Sequence, residues 1–170
     1  MANLIAVIGC GNPNRSDDGA GIEVIRRLAS RAAPDVKLID AGTDGMAVMF
    51  AARGCTSLIV IDACATGGIP GAVFEVPEDV VAAPHHPTYS LHDFRWDHAL
   101  YAGRRMYGAA FPADVVVVLV EVRSLALGVG LCDEVSAAVD AVVARVDRLL
   151  AQRRGPGART PGGDTASEVR

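Results

Sequence analysis

The sequence predicts an α/β fold: three layers, α/β/α, built on a mostly parallel, twisted sheet of about five strands, one short edge strand being antiparallel. Three observations carry this expectation. Apolar runs of strand length alternate with stretches of helical period, the order that βαβ units produce. Several of those runs, Leu4–Ile8 and Asp114–Val120 above all, are nearly unbroken, as in strands covered on both faces. The 170 residues suffice for one domain with a full core and are too few for two ordinary ones.

Leu4–Ile8 is the first strand. From Asp18 to about Arg31, Ile22, Ile25 and Leu28 recur at helical spacing with Arg26 and Arg27 outward. Val36–Asp40 makes the second strand. Thr43 can cap a helix from Asp44 to about Arg53 that turns Met46, Met49 and Phe50 inward. Ser57–Asp62 is the third strand and ends in an acid. A Gly- and Pro-containing turn leads to Ala72–Val76, a short edge strand. Pro77, Pro84 and Pro87 mark a loop, after which Ser90 can cap a helix to about Tyr107. Asp114–Val120 is the most apolar strand, and Asp133 to about Gln152 is the last helix, with Val135, Val139, Val142, Val143, Val146 and Leu149 on one stripe. Residues 1–152 thus form one domain. Residues 153–170, rich in Gly, Pro, Arg and Thr, read as a disordered tail.

Composition narrows the partners. A net charge of −4 offers no basic footprint for nucleic acid. Apolar residues make up 51% of the chain, yet no run nears the ~18 residues that a membrane helix needs. The apolar N-terminal stretch breaks at Gly9 and lacks a basic leader, so it reads as a strand and not a signal peptide. The four cysteines form no C-x-x-C pair and read as reduced, packed thiols of a cytoplasmic protein. A monomer is the default expectation.

The most informative segment is Gly9-Cys10-Gly11-Asn12-Pro13-Asn14-Arg15-Ser16-Asp17-Asp18-Gly19-Ala20-Gly21, where a strand gives way to a helix. Such turns often cradle phosphate, but two carboxylates at the helix start would repel one. The dinucleotide glycine pattern also fails, because Asn14 stands where a third Gly belongs. A Gly-rich turn presenting acids suits a cation. In an open parallel sheet, ligands gather beyond the carboxyl ends of the strands. Asp18, just past strand one, and Asp62, ending strand three, lie there. His92, near the start of the helix that Ser90 caps, can return to the same edge, with His98 as its rival; His85 and His86 sit in the Pro-rich loop. Asp18, Asp62 and His92 together suit a hard-to-borderline divalent cation. The plainer readings are a helix-start acid, a strand-end turn former and a surface histidine.

In these residues the chain resembles the hydrogenase maturation proteases, endopeptidases that trim the large subunit of nickel–iron hydrogenases. The opening segment is a full match to that family's Gly-x-Gly-Asn … Asp-Asp/Glu-Gly-x-Gly signature. Gly42-Thr43-Asp44-Gly45, Asp62-Ala63 and Pro70-Gly71 follow in the family's order. The resemblance implies that Asp18, Asp62 and His92 are both the metal ligands and the catalytic residues. The metal would be nickel, supplied by the precursor, or a surrogate divalent ion. It also implies a hydrogenase large-subunit precursor as partner and no serine or cysteine nucleophile. Asp17 would then support the helix start, and Asn12 would hold the turn or orient a carboxylate. Departures come after residue 80. Asp93-Phe94-Arg95-Trp96-Asp97-His98 replaces small and aliphatic residues, and Leu119-Val120-Glu121-Val122 stands for Gly-Ile-Glu-Pro. Two other functions fit the same fold: a nickel-dependent scaffold or sensor that binds the precursor without cutting it, and a small nucleotide-binding oxidoreductase.

Overall fold

A computed structural model describes residues 3–31, 33–77 and 94–154. Among the described residues, these strands and α-helices follow one another: β1 (Ile5–Cys10), α1 (Ala20–Leu28), β2 (Val36–Gly42), α2 (Gly45–Ala52), β3 (Ser57–Cys64), β4 (Val73–Pro77), α3 (Trp96–Tyr107), β5 (Asp114–Glu121) and α4 (Asp133–Arg154). The strands form one sheet in the order β2-β1-β3-β5-β4. All neighbours are parallel except the edge strand β4, which runs antiparallel to β5. This is the architecture that the sequence predicts.

Strand alternation explains the three layers. Ile5, Val7, Ile59, Ile61, Val118 and Val120 point to the face covered by α1 and α4. Their neighbours Ala6, Ile8, Leu58, Val60, Val115 and Val117 point to the opposite face, under α2 and α3. Both sets are buried, so the central strands must be apolar at nearly every position. Among the described residues, no helix is long and apolar enough to cross a membrane.

Local chemistry moves several boundaries. A 3-10 turn, Ser16–Gly19, precedes α1, so the helix proper starts at Ala20 and not at Asp18. Asp44, and not Thr43, caps α2: its Oδ1 accepts the N–H groups of Met46 at 2.8 Å and Ala47 at 3.3 Å. Within α2, Val48, Met49 and Ala52 are buried, whereas Phe50 is 56% exposed and Met46 half-buried. The helix is apolar all round, so its sequence carries no polar stripe to set which side faces in. The last helix runs to Arg154, two residues past the expected boundary. Arg153 pairs with Asp114 and Arg154 with Asp35, each at 2.6 Å. Ser90 and the start of its expected helix lie outside the described residues, as do residues 155–170.

One relation positions everything that follows. The chain winds from β1 out to β2, then crosses back over β1 to β3, which pairs with β1 on its other side (Gly9↔Ile61). The direction of winding reverses between β1 and β3, and a crevice opens there at their carboxyl ends. Gly21, in the first turn of α1, lies against this pair of strands. A Cβ on it would overlap the carbonyl oxygens of Cys10 and Ile61, so only glycine lets the helix start this close to the sheet.

Candidate active site

The opening turn is built around Asp18. Gly11 adopts a φ of +126°, which L-residues avoid, and a Cβ there would collide with the Asp18 carbonyl. The chain then doubles back so that the Asn12 N–H donates to Asp18 Oδ2 at 2.9 Å. The Asn12 side chain holds the turn itself, its Oδ1 accepting the Asn14 N–H at 3.0 Å. Ser16 takes a φ of +51° and is fixed there by hydrogen bonds from its N–H to Gly128 O and from its hydroxyl to Ala126 O. The segment after β5 therefore braces this turn from outside.

Asp17 does the internal bracing. It is buried, and its carboxylate accepts three backbone N–H groups: Cys132 at 2.7 Å, Arg123 at 3.0 Å and Ser124 at 3.1 Å. Burial opposes the charge most strongly, but these donors outweigh it and hold the carboxyl below the usual range. The two adjacent acids thus divide the work. Asp17 faces inward and joins the turn to the start of α4; Asp18 is half-buried and faces the crevice.

Asp62 comes from the other side of the crevice, near the end of β3, and is only 4% exposed. Its Oδ1 accepts the Ala63 N–H at 2.8 Å. Its Oδ2 accepts the Trp96 indole N–H at 2.6 Å and the Arg95 guanidinium at 3.3 Å. Burial raises the carboxyl above the ordinary carboxylate value; Trp96, Ala63 and Arg95 pull it back down, and Asp18 adds to the rise. Arg95 and Trp96 are the two contacts of Asp62 that residue-by-residue reading missed. The signal was present, since they fall in the segment where the chain departs from the family's small and aliphatic pattern.

Together these groups line a cleft of about 210 Å³, walled by Cys10, Gly11, Asp18, Thr43, Asp44 and Val48 besides Asp62, Arg95 and Trp96. The structure thus brings together Asp18 and Asp62. His92 lies outside the described residues. His98 is not in the cleft wall; its Nδ1 accepts the Arg95 N–H at 3.4 Å, and its ring stacks on Phe94. Cys10 is buried in the wall, and burial, reinforced by the charge of Asp62, pushes its thiol far up, which keeps it neutral. Among the described residues no group of three His, Cys, Asp or Glu side chains is assembled to hold a metal. The cleft offers two hard carboxylates, and His92, the nitrogen ligand that the sequence leads one to expect, lies outside the described residues.

A third buried acid orders the loop after β3. Glu121, at the end of β5, accepts the N–H groups of Thr66, Gly67 and Gly68 and the hydroxyl of Thr66, all within 3.0 Å. Burial works against its charge, but these donors and Cys64 leave the carboxyl below its ordinary value. The glutamate thereby anchors the loop that follows β3.

Comparison with known proteins places this geometry. The HycI family, hydrogenase maturation protease, matches residues 22–148. Among curated relatives, the hydrogenase expression/formation protein HupD of Rhodobacter capsulatus is 35% identical over 81 residues, 46% of this chain and 39% of HupD, so the matched stretch spans well under two thirds of that protein. The hydrogenase 2 maturation protease of Escherichia coli K12 is 28% identical over 145 residues, 84% of this chain and 87% of the relative. Among solved structures, the hydrogenase maturating endopeptidase HybD from E. coli superposes with a TM-score of 0.76 at 26% identity, covering 89% of this chain and 94% of HybD. The chain belongs to the hydrogenase maturation protease family.

Proposed function

We propose that this protein removes a C-terminal peptide from the nickel-loaded precursor of a nickel–iron hydrogenase large subunit, and that Asp18, Asp62 and His92 receive the precursor's nickel. The observation that supports this reading most is the convergence of Asp18 and Asp62, distant in sequence, on one cleft at the point where the sheet's winding reverses. Family membership supplies the substrate class.

In this reading the nickel arrives as part of the substrate. A divalent ion so held can polarise a carbonyl or acidify a water. The chain's own part is to present oxygen donors in fixed positions. Asn12 orients Asp18 through its backbone, and Ala63 and Trp96 orient Asp62. The neutral, buried Cys10 thiol is a poor nucleophile, which favours metal-centred chemistry over a thiol mechanism. The protein acts as a cytoplasmic monomer, with neither nucleic acid nor membrane in the reaction.

Purified chain mixed with nickel-loaded precursor should shorten it, read as a mass loss; nickel-free precursor should stay intact. Asp18→Asn, Asp62→Asn and His92→Ala should each abolish trimming while the fold persists. Full trimming by the Asp18→Asn/Asp62→Asn double variant would overturn the site. Tight binding of the loaded precursor with no mass loss would support the scaffold alternative.

A further inference from the structure

We propose that Arg95 is a stand-in cation. Its guanidinium occupies, in the free protein, the place at Asp62 Oδ2 that the substrate's divalent ion takes, and it must swing away when that ion arrives. The inference rests on the reading of Asp62 as a cation-binding acid and adds what sets the threshold for that binding.

The two contacts on Asp62 Oδ2 are unequal. Trp96 donates at 2.6 Å from a half-buried indole; Arg95 donates at 3.3 Å from a side chain that is 64% exposed. Asp62 is buried, but the guanidinium end of the pair lies in solvent and the contact is long, so water can replace it readily. Releasing the guanidinium needs no backbone movement. The main chain here is fixed separately, by Gly45 N–H to Phe94 O and by Ala99 N–H to Arg95 O, both at 3.0 Å.

The surroundings favour a cation at this spot. Asp18, Asp44 and Asp62 line the cleft, and among its described lining residues Arg95 is the only cation. A carboxylate oxygen offers two lone pairs, and on Oδ2 both are taken. Departure of Arg95 would free one of them while Trp96 keeps the carboxylate in its rotamer. Trp96 is thus a positioning residue and Arg95 a competitor. The functional consequence is selectivity: a free divalent ion must displace Arg95 unaided. Nickel carried on a protein arrives with further contacts that favour the exchange, so the cleft discriminates for loaded precursor.

Nickel(II) chloride alone is the probe. Trp96 is the chain's single tryptophan, so its fluorescence reports events at Asp62, with calorimetry as an independent readout. Arg95→Gln should bind nickel roughly three- to tenfold tighter than the unaltered chain, because the ion then has no guanidinium to displace from Asp62. Arg95→Lys should stay near the original affinity, and Asp62→Asn should lose binding in both backgrounds. Arg95→Gln that binds no tighter, absence of binding by either protein included, overturns the proposal. Precursor trimming separates the two levels. If Asp62→Asn abolishes trimming while Arg95→Gln shows no gain, only the stand-in role fails; if Asp62→Asn trims normally, the underlying site reading fails with it.

Discussion

The carboxylate of Asp17 accepts the Cys132 N–H at 2.7 Å, so an acid of the opening turn is fixed to the residue just before the last helix. The turn and α4 are far apart in the chain, and this contact makes them one unit. Replacing Asp17 by Asn should leave at least one buried N–H poorly satisfied and cost about 2 kcal/mol. Thermal unfolding should shift down by roughly 4–8 °C. Asp18→Asn, whose carboxylate accepts one N–H from a half-buried position, should leave the melting temperature nearly unchanged. Equal shifts in the two variants would contradict this division between neighbouring acids.

Gly21 offers a purely steric test. A methyl group there meets main-chain oxygens of two strands, which cannot rotate aside. Gly21→Ala should destabilise by about 1–3 kcal/mol, the usual cost of overpacking. Chemical denaturation measures it directly, and a midpoint unchanged from the parent would show that α1 does not sit against β1 and β3 as described.

The Glu23 carboxyl is lowered from 4.5 to about 2, chiefly by its hydrogen bond with Arg26 and, against a smaller burial penalty, by Arg27. A lowered folded-state value means that the charged form favours folding. The contribution is present above pH 4.5 and fades as pH falls towards 2. Arg26 is largely exposed, so solvent screening keeps the gain near ~1 kcal/mol or below. Glu23→Gln should therefore be slightly less stable than the parent at pH 7, and the gap should close on acidification. A gap that widens as pH falls would reverse the sign and refute the pairing.

Glu121 predicts a local effect. Without its carboxylate, the N–H groups of Thr66, Gly67 and Gly68 lose their acceptor. Glu121→Ala should speed hydrogen exchange at those three amides far more than in α4. Uniform acceleration across the protein would point to global destabilisation instead of a loop anchor.

At the other end, Arg153 and Arg154 extend the domain past residue 152 through Asp114 and Asp35. A chain ending at Arg154 should melt higher than one ending at Gln152. The difference should be about 1–2 kcal/mol for two ion pairs whose arginines are mostly buried and whose acids are partly exposed. Identical stability would return the boundary to where composition alone had put it.

Layer order and strand count were legible in the sequence, because two-faced burial forces central strands to be apolar throughout and leaves helices to carry the polar residues. The sequence also marked Asp18 and Asp62, since acids at strand ends and helix starts stand out against an apolar background. What it could not phase was α2, where Phe50 faces solvent although an all-apolar helix gives no hint of it. That β1 and β3 are neighbours, and so that two distant acids share a cleft, is a consequence of how the sheet winds in three dimensions. The family resemblance had split the roles of Asp17 and Asp18, but the N–H donors that turn Asp17 inward come from a segment more than a hundred residues away and are visible only in the folded chain. Pairing across such distances has no local signature: the groups that meet are chosen by the winding of the sheet, and their neighbours in the chain carry no record of it.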